Sequence, residues 1–255
     1  MPDFPRTPSF NLSGKRALIV GASSGIGLAC AVALAEQGAE VTLAARRADK
    51  LTKIVDQMTA NKWLARSMVL DVSDVETTAE AVNKAGPFDI LVNSAGLARH
   101  SKATETTIED FDAVMDVNIR GAYFLTQTVA KGLLDAGIAG SLINISSQMA
   151  HVGGQDRAVY CASKHAVEGF TKAMAIEWGP AKIRVNTICP TFILTDLTRE
   201  TFADPHKRAW ILDKIKLGRA GEVEDIMGAV VYLASDAAAL VTGTSMMIDG
   251  GWTAD

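Results

Sequence analysis

The chain has 255 residues, of which 48% are apolar and 21% charged, with a formal net charge of −4. That is ample apolar material for one large core, and the mild, mixed charge argues against a nucleic-acid or anionic-membrane partner. Cys30, Cys161 and Cys189 lie far apart without C-x-x-C spacing. This excludes a disulfide framework and a zinc signature, and it suits a reducing, cytoplasmic setting in which the cysteines pack and no metal is bound.

The N-terminal stretch Met1 to Phe10 carries Pro2, Pro5 and Pro8 but neither a basic start nor an apolar run, so it is read as a loosely held arm over residues 1–11 and not as a signal peptide. No linker, low-complexity tract or internal repeat interrupts residues 12–255, which predicts a single domain. Apolar runs that read as buried strands recur at Arg16–Val20, Glu40–Ala45, Ser67–Leu70, Asp89–Val92, Ser141–Ile145, Arg184–Ile188 and Ser245–Ile248. Segments with helical spacing lie between them, at Gly25–Gln37, Asp49–Thr59, Val75–Lys84, Ile108–Leu134, Ala158–Glu177 and Val223–Ala234. This alternation predicts an α/β fold with a doubly wound, seven-stranded parallel sheet covered by helices on both faces. Residues 191–216 break the rhythm, and with Pro205 and mixed polarity they are expected to form a substrate lid.

The first strand runs straight into Gly21-Ala-Ser23-Ser24-Gly25-Ile26-Gly27 and then into a helix. Unpaired amides at a helix N-terminus, with the dipole behind them, make a phosphate site, and glycine lets phosphate approach the backbone. Alone the motif is weak, because any tight strand-to-helix turn favours glycine. Its G-x-x-x-G-x-G spacing, however, resembles the signature of the short-chain dehydrogenase/reductase family, and other segments in order along the chain match the same family. Asn93-Ser94-Ala95-Gly96 resembles the N-N-A-G element, with Ser94 as a departure. Asp71-Val72 resembles the pair that reaches the adenine ring. Asn118, Ser147, Tyr160 and Lys164 match the catalytic set. The resemblance extends from Leu12 to Trp252 and implies a Rossmann-type, NAD(P)-dependent oxidoreductase.

The chemistry of these residues agrees. A hydride delivered to a ketone leaves charge on oxygen, so a proton must follow. A phenol with a pKa near ~10 needs a nearby cation to work at neutral pH, and Lys164, four residues after Tyr160, falls on the same helix face. The resemblance implies that Lys164 also binds the nicotinamide ribose. Ser147, just past the fifth strand, is expected to hold the substrate oxygen, with the adjacent Ser146 structural. Asn118 sits mid-helix among apolar neighbours, where an amide must be bonded, and the resemblance implies a backbone and water relay to Lys164. Each residue singly has a bland reading: an exposed aromatic, a solvated lysine, a helix cap, a core amide. Their joint placement on a dinucleotide-binding frame reverses the odds.

Asn186 to Thr195 resembles the segment that closes on the cofactor, with Pro190 in place and Thr191 where glycine is usual. The resemblance implies that the Ile193 backbone faces the nicotinamide amide and that Thr195 bonds the amide or a phosphate. Phe192, Leu194, Leu197, Phe202, Trp210 and Ile211 form either an apolar cover or an interface. Arg99, His100, Gln148, Phe192, Arg199 and Arg208 are substrate candidates, although solvated charge is the usual state of such arginines. The second strand ends at Ala45, where NAD-selective sites place a carboxylate, and Arg46 with Arg47 follows. This predicts NADP over NAD, with Arg46 gripping the 2′-phosphate and Arg47 assisting. Ser24 stands where many NADP enzymes carry a second base.

The family resemblance further implies a homotetramer, through its fourth and fifth helices and the Asp249-Gly-Gly-Trp252 segment. Two rivals share the fold: a non-catalytic dinucleotide-binding sensor or scaffold, and a lyase or epimerase. The presence of Tyr160 and Lys164 argues against the first. The intact glycine turn and short C-terminal part argue against the second. Substrates still open are a 3-oxoacyl thioester, a sugar or sugar acid, a steroid and a small ketone.

Overall fold

The computed structural model describes residues 4–196 and 198–254, so Pro2 and Leu197 lie outside the described residues. The seven strands are β1 (Arg16–Val20), β2 (Glu40–Ala45), β3 (Ala65–Val69), β4 (Ile90–Asn93), β5 (Gly140–Ile145), β6 (Ile183–Pro190) and β7 (Ser245–Ile248). They form one sheet in the order β3-β2-β1-β4-β5-β6-β7, and every pairing is parallel. Alternation along β1 sends Ala17 and Ile19 to one face and Leu18 and Val20 to the other. On the first face lie α1 (Gly25–Glu36), α2 (Ala48–Ala60) and α9 (Glu224–Ala234); on the second lie α3 (Val75–Ala85), α5 (Ala122–Ala136) and α6 (Ala158–Trp178). Each fully buried Leu, Ile or Val on these faces contributes roughly 1.5–3 kcal/mol.

Three elements differ from the sequence reading. β3 starts earlier than Ser67, because Val41 of β2 registers against Ala65, and as the edge strand it leaves Arg66, Ser67 and Val69 exposed. The apparent single helix Ile108–Leu134 consists of α4 (Ile108–Met115), a π-turn (Asp116–Gly121) and α5. The wider π-turn interrupts the helical register and holds Asn118 inside the protein, almost fully buried. The segment before α9 contains two helices, α7 (Arg199–Ala203) and α8 (Pro205–Lys214). Pro205 starts α8 where no amide partner is needed, and the Asp204 carboxylate accepts from the His206 and Lys207 amides at 2.9 and 3.2 Å.

Gly121 ends the π-turn where it meets the chain leaving β3, and a Cβ there would lie 2.5 Å from the Val72 carbonyl oxygen. Gly121→Ala must push two backbones apart and should lower stability by about 1–3 kcal/mol. Gly228, inside α9, faces open space, so Gly228→Ala should instead stabilise by about 0.5–1 kcal/mol. Chemical denaturation of both variants checks the contrast. A Gly121→Ala protein as stable as wild type would show that the contact yields freely.

Candidate active site

The strand order reverses between β1 and β4, and ligands of open parallel sheets collect at the carboxyl ends beside such a reversal. The turn Gly21–Gly27 leaves β1 there and opens α1. Ser24, the residue before α1, makes no side-chain bond to the helix amides. Across from it, Thr195 is held in a tight turn: Thr198 Oγ1 donates to the Ile193 carbonyl at 2.6 Å and accepts from the Thr195 amide at 3.0 Å. Ile193 itself is buried and bridges to Gly221.

A side chain would intrude on this gap. Gly25 has φ +55°, and a Cβ on it would stand 3.3 Å from Thr195 Cγ2. At the far end, a Cβ on Gly96 would lie 3.7 Å from Asn118 Oδ1 and 3.8 Å from Lys164 Nζ. A groove lined by backbone, with helix amides at one end and a lysine at the other, fits a dinucleotide.

Asn118 secures the middle of the site. Its Nδ2 donates to the Leu97 carbonyl at 2.8 Å and to Ser163 Oγ at 3.0 Å, while its Oδ1 accepts from the Leu97 amide at 2.8 Å. The side chain therefore clamps the loop after β4 to α6. Asn93 locks the same loop from the strand side, donating to Asn144 Oδ1 at 3.1 Å and accepting from the Ala95 amide at 3.2 Å.

Ser147 follows β5 and is buried; its Oγ accepts from the Met149 amide at 3.1 Å. The same hydroxyl lies near enough to the Tyr160 phenol to favour its ionised form. Ser146 continues the sheet instead, its amide donating to the Ile188 carbonyl at 2.8 Å. Lys164 Nζ lies 5.7 Å from the Tyr160 ring centre and donates to the Ile145 carbonyl at 2.9 Å.

Burial dominates the electrostatics of the tyrosine and the lysine. Burial pushes the Tyr160 phenol above its ordinary value, and this outweighs the opposing pull of Ser147 and Arg157. Burial also pushes Lys164 down to about 8, against the influence of Cys189 and Glu168. Tyr160 thus resists ionisation, and Lys164 loses its proton at about 8, well below an ordinary lysine.

Around Tyr160 the structure gathers residues that chain distance only partly revealed. The His100 ring meets Tyr160 edge-on at 6.0 Å, and burial lowers the His100 pKa, with Arg157 adding to the effect. Gln148 is buried, and its Oε1 has no partner among the described residues. Of the three arginines named as substrate candidates, two are paired and one is exposed, and Arg199 lines a cavity together with Gly25 and Thr195. Arg99 pairs with Asp110 at 2.6 Å, Arg199 pairs with Asp196 at 2.5 Å, and Arg208 is exposed on α8.

Arg157, which sequence reasoning passed over, sits over the Phe192 ring at 5.7 Å, close enough to influence Tyr160. Its position three residues before Tyr160, one helical turn away, was the available signal. Phe192 also packs on Phe202 and on Trp252, which in turn meets Trp210, so the expected apolar cover is a cluster that includes the chain's last tryptophan. Ile211 is buried in it, whereas Leu194 is 40% exposed and stands apart. Trp252, the end of the segment assigned to a subunit contact, is thus buried within its own chain.

At the end of β2 the two arginines diverge. Arg47 Nη2 donates to Ser23 Oγ at 2.7 Å and to Ser24 Oγ at 3.2 Å, while Arg46 lies 3.7 Å from Asp71. Arg47, rather than Arg46, touches the glycine turn. Burial tends to raise the Asp71 carboxyl, but bonds from Ser73 and the charge of Arg46 bring it below the ordinary value.

A glycine turn opening a helix beside a Ser-Tyr-Lys set is the arrangement that a nicotinamide-dependent oxidoreductase requires. Comparison with known proteins agrees. The family model described as enoyl-(acyl carrier protein) reductase matches residues 21–253. The chain is 40% identical to D-erythrulose reductase of Gallus gallus, covering 96% of this chain and 98% of that protein. It is also 40% identical to D-threitol dehydrogenase of Mycolicibacterium smegmatis, covering 96% and 95%. The crystal structure of a gluconate 5-dehydrogenase from Burkholderia cenocepacia in complex with NADP and tartrate superposes with a TM-score of 0.93 at 33% identity, covering 96% of this chain and 98% of that one. The chain belongs to the short-chain dehydrogenase/reductase family. It is an oxidoreductase that moves a hydride between nicotinamide and an alcohol/ketone pair.

The lysine gives a pH test with a definite sign. A depressed lysine carries its ammonium below about 8 and loses it above. Carbonyl reduction, measured as kcat/KM, should fall as pH rises through that value. Residual activity of Lys164→Arg should lack this fall, since guanidinium does not titrate there. A flat wild-type profile from pH 6 to 10 would show that the charge of Lys164 is not needed.

Proposed function

We propose that the chain is an NADP-dependent oxidoreductase of short polyhydroxylated ketones, sugars or sugar acids and the matching alcohols, with Tyr160 as the acid/base. The observation that carries this reading is the meeting of Ser147, Tyr160 and Lys164, with Lys164 Nζ 5.7 Å from the Tyr160 ring centre and Ser147 close enough to act on the phenol. Nicotinamide, when bound, supplies or accepts the hydride. Tyr160 gives its proton to the substrate oxygen in reduction and takes it back in oxidation. Ser147 donates to that oxygen as charge develops on it. Lys164 binds ribose hydroxyls and keeps positive charge beside the phenol. Asn118 positions Lys164 and the β4 loop, and its main-chain carbonyl serves the proton relay.

Gly21, Ser23, Ser24, Gly25, Ile26 and Gly27 would hold the dinucleotide phosphates, Asp71 and Val72 the adenine, and Asn93, Ala95, Gly96, Pro190, Ile193 and Thr195 the nicotinamide half. NADP is favoured over NAD because two arginines, and no carboxylate, follow Ala45. The bonds from Arg47 to Ser23 and Ser24 support it as the main holder of the 2′-phosphate, with Arg46 assisting. Gln148, His100 and Arg157 hold the hydroxyl or carboxylate groups of the substrate, under the cover of Phe192. The names of the relatives, which include a ketotetrose reductase, a polyol dehydrogenase and a gluconate dehydrogenase, favour this substrate class over steroids and acyl thioesters. Exposed Ile108 and Phe111 on α4, Phe124 on α5 and Ile176 on α6 support a homotetramer, and the cysteine pattern supports a cytoplasmic one.

Tyr160→Phe removes the mobile proton and little volume. Turnover on a panel of tetroses, pentoses and sugar acids should fall ~100–10,000-fold, while NADP affinity by fluorescence titration stays near wild type. Turnover close to wild type would refute the mechanism.

The cofactor assignment has its own measurement. Arg47→Ala should cut the NADP/NAD ratio in kcat/KM by ~10–100-fold, as loss of charge-assisted hydrogen bonds worth about 1.5–3 kcal/mol implies, and Arg46→Ala should cut it less. An unchanged ratio in Arg47→Ala would move the phosphate grip elsewhere.

A further inference from the structure

Behind Lys164 the fold gathers three groups that the reaction does not use. His151 directly follows the short turn after Ser147, Glu168 stands one helical turn beyond Lys164 on α6, and Cys189 lies near the end of β6. Cys189 Sγ is 3.6 Å from His151 Nε2 and 3.3 Å from Glu168 Oε1, and the three donor atoms all lie within 4.8 Å of one another. Cys189 and Glu168 are buried, while His151 reaches the surface. Thr187 and Ser245 both donate to Glu168 Oε2, at 2.9 and 2.5 Å, which fixes that carboxylate and turns Oε1 towards the thiol.

Imidazole, thiolate and carboxylate are the donors that zinc takes, with bonds of about 2.0–2.3 Å in tetrahedral geometry. Such bonds imply sulfur-to-nitrogen and sulfur-to-oxygen edges of about 3.6 Å. The two edges at Cys189 are already close to that length. The third edge, between His151 and Glu168, closes by movement of an exposed imidazole. Three protein ligands leave a fourth position for solvent on the His151 side.

We propose that His151, Glu168 and Cys189 form a binding site for a zinc-class divalent cation. On binding, the sulfur–metal bond forms as the Cys189 thiol proton leaves to solvent, and no group changes oxidation state. A cation there stands behind Lys164 and opposes its ammonium, so the site lies where it can temper the reaction.

The test uses the full-length, tag-free protein without nicotinamide or substrate, so its outcome is independent of the proposed activity. Titration with Co2+ should give one equivalent bound, with intense four-coordinate visible bands and a thiolate-to-cobalt charge-transfer band, and Zn2+ should displace both. Cys189→Ser should lose the charge-transfer band. His151→Ala, a surface change, should keep the native circular dichroism and weaken Co2+ and Zn2+ binding by ~10-fold or more. A weak six-coordinate spectrum, a thiolate band that survives in Cys189→Ser, or wild-type affinity in His151→Ala would each overturn the site.

Discussion

A parallel sheet has nothing of its own to satisfy the carboxyl end where its strand order reverses, and here that end lies between β1 and β4. Loops leaving the two strands diverge to opposite faces, so a crevice opens between them. Four segments of the proposed site reach this crevice from the ends of the strands around it. The glycine turn comes from β1, the Asn93–Gly96 loop from β4, Ser147 from β5 and Thr195 from β6. Residues as far apart in the chain as Gly25 and Thr195 face one another for this reason alone.

The crevice needs rigid walls, and α6 supplies the main one. It carries Tyr160, Lys164 and Glu168 at four-residue intervals, so that one helix face presents a phenol, an ammonium and a carboxylate in a row. Asn118 pins this helix, through Ser163, to the loop that follows β4. The amide can do so because the π-turn holds it inside, and the turn can pack there because Gly121 has no side chain. Burial then sets the chemistry. It favours the neutral form of both Tyr160 and Lys164, so the phenol keeps a proton ready for an alkoxide and the lysine becomes sensitive to small changes in surrounding charge.

The segment between β6 and α9 is joined to the domain mainly through aromatic rings. Phe192, Phe202, Trp210 and Trp252 meet edge-on or tilted over Ile211 and Ile215, and Arg157 from α6 rests on Phe192. Edge-to-face aromatic contacts add about 0.5–1.5 kcal/mol each beyond the area they bury. The cluster these rings form is separate from the two main cores on the faces of the sheet.

The sequence by itself determined the strand and helix alternation, the phosphate turn and the Ser147, Tyr160 and Lys164 set. These are written locally: a period of two or nearly four in apolar residues, a glycine spacing, a four-residue interval on a helix. It missed the break at Asp116–Gly121, because the helical pattern of side chains runs on through a π-turn, and it misplaced β3, because register against β2 is a pairing between distant segments. Tertiary structure alone decided that Arg47 turns to Ser23 while Arg46 turns to Asp71. It also decided that Arg157, and not Arg199 or Arg208, joins His100 beside Tyr160, since an arginine's partner depends on which carboxylate the fold brings within reach. The direction of the Tyr160 and Lys164 shifts was equally out of view, because burial is a property of the packed core. So was the meeting of His151, Glu168 and Cys189, 38 and 21 residues apart along the chain, where no spacing rule applies and only the convergence of a turn, a helix and a strand brings the three donors together.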